Sequence, residues 1–66
     1  KLTVDNGVCT IHNLRGNAMV TFFDMNGKIM ANKKTQNTSL QVTLPKGVYI
    51  LRIEEYGVPG MIKIII

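Results

Sequence analysis

The chain has 66 residues, 45% of them hydrophobic and 18% charged, which fits one small globular domain, argues against disorder and leaves no room for an enzyme cleft walled by two domains. Eight Lys/Arg against four Asp/Glu give a formal charge of +4, but Lys1, Arg15, Lys28, Lys33, Lys34, Lys46, Arg52 and Lys63 are scattered, which reads as a solvated basic surface rather than a nucleic-acid face. A single cysteine excludes an internal disulfide and a cysteine zinc cluster, and no apolar run is long enough for a helix to span a bilayer.

No segment carries the i, i+3, i+4, i+7 apolar period of a helix. Short runs rich in Val, Ile, Thr and Phe are instead broken by Gly, Asn and Pro, the pattern of an all-β chain. Six or seven strands are expected. Leu2–Asp5 is closed by Asn6-Gly7, and Val8–His12 runs into the Asn13–Asn17 loop. Ala18–Asp24 and Lys28–Lys33 flank a tight turn. Ser39–Leu44 ends at Pro45-Lys46-Gly47, and Val48–Glu54 precedes a Tyr56–Gly60 loop. Met61–Ile66 closes the chain. With no crossover helix, neighbouring strands should be mostly antiparallel, as in a meander or small sandwich. Alternation then assigns the core to Leu2, Val4, Ile11, Val20, Phe22, Leu40, Val42, Leu44, Tyr49, Leu51, Ile53, Ile62 and Ile64.

Two turns are specific. In Asp24-Met25-Asn26-Gly27-Lys28, Asp suits the first position of a type I turn and Gly27 a residue of positive φ, predicting a three-residue hairpin loop with a bulge. Asp24 then faces Lys28, an exposed pair worth at most about 1 kcal/mol. In Leu44-Pro45-Lys46-Gly47-Val48-Tyr49, Pro45 fixes φ and Gly47 is expected in a left-handed conformation. Tyr49 enters the next strand just past this corner, where its hydroxyl is expected to bond nearby backbone.

Groups able to do chemistry are few. Cys9 and His12 are three apart on a strand and point to opposite faces, so they form neither a nucleophile–base pair nor a metal site, and Cys9 reads as a small buried hydrophobe. Glu54 and Glu55 diverge, Asp24 belongs to a turn, and the glycines form no phosphate loop. No catalytic residue, cofactor or metal is expected. Phe22 and Phe23 face opposite sides of a strand, one core and the other half exposed. The feature that packing explains least is the tail, Met61-Ile62-Lys63-Ile64-Ile65-Ile66, which is β-prone, apolar on both faces and terminal. Buried between neighbours it would be ordinary core; at an edge it could add to the sheet of another protein.

Three segments carry a family resemblance over about residues 2 to 66. Val20-Thr21-Phe22-Phe23-Asp24-Met25-Asn26-Gly27-Lys28-Ile29 is similar to a strand–Asp-Leu-Asn-Gly-Lys/Arg–strand hairpin. Leu44-Pro45-Lys46-Gly47-Val48-Tyr49-Ile50-Leu51-Arg52-Ile53 is similar to a Leu-Pro-x-Gly-x-Tyr-x-Val-Arg/Lys strand. Ile62-Lys63-Ile64-Ile65-Ile66 is similar to a closing apolar strand that contains Lys. Together they resemble the C-terminal sorting domain of cargo proteins exported by the type IX secretion system of Gram-negative bacteria. Two departures stand beside the likeness: the Pro-Asn-Pro opening of many members is absent, and the last residue is Ile66 where many members end on a basic or polar one.

The resemblance implies a small immunoglobulin-like antiparallel β-sandwich, one domain over 1–66 at the end of a larger secreted protein, with Lys1 in place of Met fitting a fragment. It implies a non-enzymatic address, recognised in the periplasm, passed through an outer-membrane translocon and usually removed by a cell-surface sortase that joins the cargo to an anionic lipopolysaccharide. The implied partners are that translocon, a shuttle protein and the sortase, without nucleic acid or direct membrane insertion. The implied recognition residues are Gly27, Lys28, Gly47, Tyr49, Arg52, Lys63, Ile64, Ile65 and Ile66, with Asp24, Asn26 and Pro45 shaping turns. Pairing or strand exchange between two copies through the tail is left open. The competing reading is a passive sandwich that spaces or docks a secreted enzyme; a third, a small basic barrel for nucleic acid, has only the net charge behind it.

Overall fold

Stiff β-branched side chains and closely spaced turn residues leave this chain no local route to a helix, and the computed structural model, which describes residues 2–66, contains none. Lys1 lies outside the described residues. Seven strands follow in chain order: β1 (Leu2–Asp5), β2 (Val8–Ile11), β3 (Ala18–Phe23), β4 (Ile29–Thr35), β5 (Leu40–Thr43), β6 (Val48–Glu55) and β7 (Val58–Ile65). They form two antiparallel sheets, β1-β2-β5 and β4-β3-β6-β7.

The two sheets enclose one core, built from the residues that alternation turns inward. Cys9, Ile11 and Val42 come from the three-stranded sheet, and Val20, Phe22, Tyr49, Leu51 and Ile64 from the four-stranded sheet. Ala18, Leu14 and Leu44 complete it. Sequence reasoning placed most of this set but missed Ala18, at the start of β3, and Leu14, alone in an Asn/Gly-rich loop. The Leu14 N–H donates to the Thr38 carbonyl at 2.8 Å, which ties the loop to the segment before β5 and holds the side chain in the core. Two expected core residues are exposed instead, Val4 at 40% and Ile62 at 51%. Both sit on inward faces, opposite the fully buried Cys9 and Leu51. Each lies on a strand at a sheet edge, however, and a facing sheet of three or four short strands does not reach that far. Leu2 and Leu40, also on edge strands, are only partly buried for the same reason, and Ile53, on the interior strand β6, is partly buried as well.

Strand limits shift where turns were misread. Residue 12 falls outside β2, and β4 runs on to Thr35. The largest change is β7, which starts at Val58 rather than Met61. Tyr56 and Gly57 alone make the β6–β7 turn, with φ of 51° and 77°, the left-handed pair of a two-residue hairpin matched to strand twist. Asn6-Gly7 builds the β1–β2 turn in the same way, with φ of 52° and 77°.

The corner between β5 and β6 is pinned as expected: the Tyr49 hydroxyl donates to the Pro45 carbonyl at 2.7 Å, and the ring is buried. A tyrosine at the start of this strand, bonded back to backbone a few residues upstream, is a hallmark of immunoglobulin-type sandwiches. Tyr49→Phe should lower stability by about 1 kcal/mol, the net worth of one such bond, with the fold retained. The measurement is the denaturant midpoint, and an unchanged midpoint would mean the hydroxyl contributes nothing. Gly47 departs from expectation, since it has no positive φ. It pairs instead with the end of the chain: Gly47 N–H donates to the Ile66 carbonyl at 3.0 Å, and Ile66 N–H returns the bond to the Gly47 carbonyl at 2.8 Å.

Candidate functional site

Four strands lie at sheet edges, and they differ sharply. β1 and β5 have four residues each, too short to offer much. β4 has seven residues, carries Lys33 and Lys34, and has a register shift opposite Phe22/Phe23. Short length, lysines and irregular pairing are the usual devices that keep an edge from recruiting strands. β7 has eight residues in unbroken register with β6, and Val58, Met61, Ile62 and Ile65 are exposed on it. Its single charged side chain is Lys63.

The reciprocal Gly47–Ile66 pair also fixes which backbone groups β7 leaves free. In an antiparallel ladder, hydrogen-bonded and non-bonded pairs alternate. Counting from Ile66 along the constant register, residues 64, 62, 60 and 58 direct their backbone groups to β6. Those of Pro59, Met61, Lys63 and Ile65 face the open edge. Pro59, which has no N–H to donate, therefore falls where none is needed inside the sheet.

On the side of the four-stranded sheet away from the core, Phe23, Ile50 and Met61 line an apolar groove closed by Asp24, Met25 and Gly27 of the hairpin loop. That loop has the predicted form. Gly27 N–H donates to the Asp24 carbonyl at 3.1 Å and Asp24 N–H to the Lys28 carbonyl at 2.9 Å. Gly27 has φ of 85°, and nothing lies where a Cβ would project, so glycine is required there by conformation and not by space. The Asp24 carboxylate accepts the N–H groups of Asn26 and Lys28, each at 2.9 Å. Asp24 and Lys28 thus meet through backbone, and no ion pair joins them among the described residues.

The sequence-derived recognition residues fall into two groups. Gly47, Tyr49, Arg52, Lys63, Ile64, Ile65 and Ile66 converge on the β6–β7 hairpin, where Tyr49 pairs with Ile64 and Ile50 with Lys63. Gly27 and Lys28 belong to the loop beside the groove. Arg52 is held by Glu54 at 3.0 Å, whereas Lys63 has no ion pair among the described residues. Ile64 is core, 6% exposed, while Ile65 is 72% exposed. Sequence reasoning overlooked Phe23, Ile50 and Met61 as a shared surface. The available signal was apolar residues on the nominal solvent face of neighbouring strands.

At the opposite end, the Arg15 N–H donates to Glu55 Oε2 at 2.6 Å and the Tyr56 hydroxyl to the Arg15 carbonyl at 3.0 Å, bracing the β6–β7 turn against the 13–17 loop. Cys9 is buried, and burial raises its thiol pKa, which makes it a poor nucleophile. His12 Nε2 lies 3.4 Å from Thr3 Oγ1. Among the described residues no group of His, Cys, Asp and Glu could hold a metal ion, and no helix is long and apolar enough to cross a membrane.

A three-plus-four antiparallel arrangement with a pinned tyrosine corner and one long apolar edge strand defines the class as a small all-β sandwich. The family described as the secretion system C-terminal sorting domain matches residues 4–66, and the chain belongs to that family. No curated protein and no solved structure matched it. Membership makes the chain a type IX secretion sorting signal, which engages that machinery and marks a protein for export to the cell surface or beyond.

Proposed function

We propose that this domain is a non-catalytic address, that residues 1–66 form one C-terminal unit of a larger secreted protein, and that β7 is the part that is read. The signal directs the attached protein from the periplasm through the outer-membrane translocon to the surface, where a sortase cuts the domain away. A shuttle protein or the translocon takes the open edge of β7 by strand addition, in which main-chain hydrogen bonds give affinity and flanking side chains selectivity. Gly47 and Tyr49 hold the corner against which the last residue docks, and Gly27 and Lys28 shape the neighbouring loop. Arg52 and Lys63–Ile66 supply side chains along the hairpin.

The observation that carries this reading is the contrast among the edges: three are short or blunted, and β7 is long, regular and apolar. A passive spacer has no use for such an edge, which invites aggregation. The test is a secreted reporter fused to residues 1–66 in a bacterium with a type IX system. Deleting Ile62–Ile66 should hold the reporter inside the cell envelope, and undiminished surface delivery would overturn the role given to β7.

A further inference from the structure

The open edge of β7 specifies more than the presence of a strand. The backbone groups of Met61, Lys63 and Ile65 face outward along it, and the same three side chains lie on the side of the sheet away from the core. A strand added here forms hydrogen-bonded pairs opposite these residues, and its side chains at alternate positions meet theirs directly. Lys63 stands at the centre with an exposed apolar residue two positions away on each side, Met61 and Ile65. It is a cation without an ion pair among the described residues, in contrast to Arg52, which Glu54 neutralises.

Resting on the reading of β7 as the recognised strand, we infer that its partner is an extended segment bearing a carboxylate opposite Lys63, flanked two residues away on each side by apolar side chains. Opposite charges facing each other across an antiparallel pair are favourable, and like charges are unfavourable. Met61 and Ile65 are 66% and 72% exposed, so the pair stays partly in water and contributes at most about fivefold in affinity, about 1 kcal/mol, with repulsion of a like charge adding to the contrast. A second copy of this chain fits worse. β7 contains no Asp or Glu, so it has nothing to offer Lys63, and each copy carries a formal charge of +4. Apolar side chains opposite Met61 also lie next to the groove formed with Phe23 and Ile50, which extends the contact inward.

The test uses the 66-residue chain labelled with nitrogen-15 and three soluble nine-residue peptides of alternating Val and Thr, with Val at both ends and two residues either side of the centre, differing only at the centre: Glu, Gln or Lys. Amide shifts of Met61, Lys63 and Ile65 are followed in titrations at low salt. The Glu peptide should bind roughly tenfold more tightly than the Lys peptide, with Gln between them, and the preference should shrink as salt is raised. Lys63→Glu should reverse the order, and methylating alternate peptide nitrogens should abolish binding. Equal affinity for the three peptides, no binding by any of them, or shifts confined to other strands would each overturn the inference. The outcome is separable from that of the export assay. A chain that sorts a reporter but shows no charge preference keeps its address role and loses only the carboxylate. One that prefers Glu but fails to sort loses the address role alone.

Discussion

Phe22→Ala should unfold the domain. Phe22 is the largest of the fully buried side chains, at 0% exposure one residue from the end of β3, with Leu51 of β6 paired on one side and Ala31 of β4 on the other. Truncating a buried Phe to Ala costs about 3–5 kcal/mol, because lost transfer energy and the cavity left behind add together. Domains carry about 0.05–0.15 kcal/mol of stability per residue, so a chain of this length has about 3–10 kcal/mol in all. No disulfide supplements the core, since Cys9 is alone. The loss is therefore comparable with the whole margin. The substituted chain should lack a cooperative thermal transition, and its amide resonances should collapse into the narrow range of an unfolded chain. A cooperative transition within a few degrees of the original would show that β3 is not the keystone of the sandwich. Phe23→Ala, on the adjacent and partly exposed residue, should cost far less, which separates loss of the core from loss of an aromatic ring.

That prediction rests on a face assignment visible in the sequence, and the assignment marks what alternation can reveal. Phe22 against Phe23, Ile64 against Ile65, and the inward set of β6 were all legible because a two-residue period decides which side a residue faces. Period does not decide whether anything lies on that side. Ile62 and Val4 face inward and remain exposed, because coverage depends on the width of the opposing sheet, a tertiary property with no local trace. The Tyr56-Gly57 turn escaped for another reason. A positive φ at tyrosine is uncommon, and Pro59-Gly60 is a stronger turn signal than the pair that turns. Pro59 is tolerated in β7 only because the strand is an edge, a fact that follows from topology. Gly47 likewise looked like a turn glycine, and its partner Ile66 is far along the chain, so the pairing leaves no local signal.

The recognition residues were legible by likeness and not by physics. Nothing in the spacing of Lys63 distinguishes it from Lys33 or Lys34, which also lie on an edge strand. The difference appears only when the strands are assembled: two adjacent lysines on β4 repel a neighbour, whereas one lysine between Met61 and Ile65 on an otherwise apolar edge can select one.

Two adjacent substitutions separate folding from recognition on β7. Ile64 is 6% exposed and packs into the core; Ile65, one residue on, is 72% exposed. Ile64→Asp places a carboxylate among Tyr49, Leu51 and their neighbours, with no cation in the surrounding core to pair with it. Burying an unpaired charge costs several kcal/mol or forces the group to take up a proton, so this chain should be unfolded at neutral pH. Ile65→Asp puts the same group in water, and its effect on stability should stay within about 0.5 kcal/mol. Yet the carboxylate introduced by Ile65→Asp would sit two positions from Lys63 on the same face of the edge. It would offer that lysine an internal partner and set a negative charge where an acidic strand approaches. A folded reporter fusion carrying Ile65→Asp should therefore reach the surface at a small fraction of the normal level, with an unfolding midpoint close to that of the parent. Normal delivery of the folded Ile65→Asp fusion would mean that the outward side of β7 is not read. Recognition would then have to rest on backbone or on the hairpin loop at Asp24–Lys28 instead.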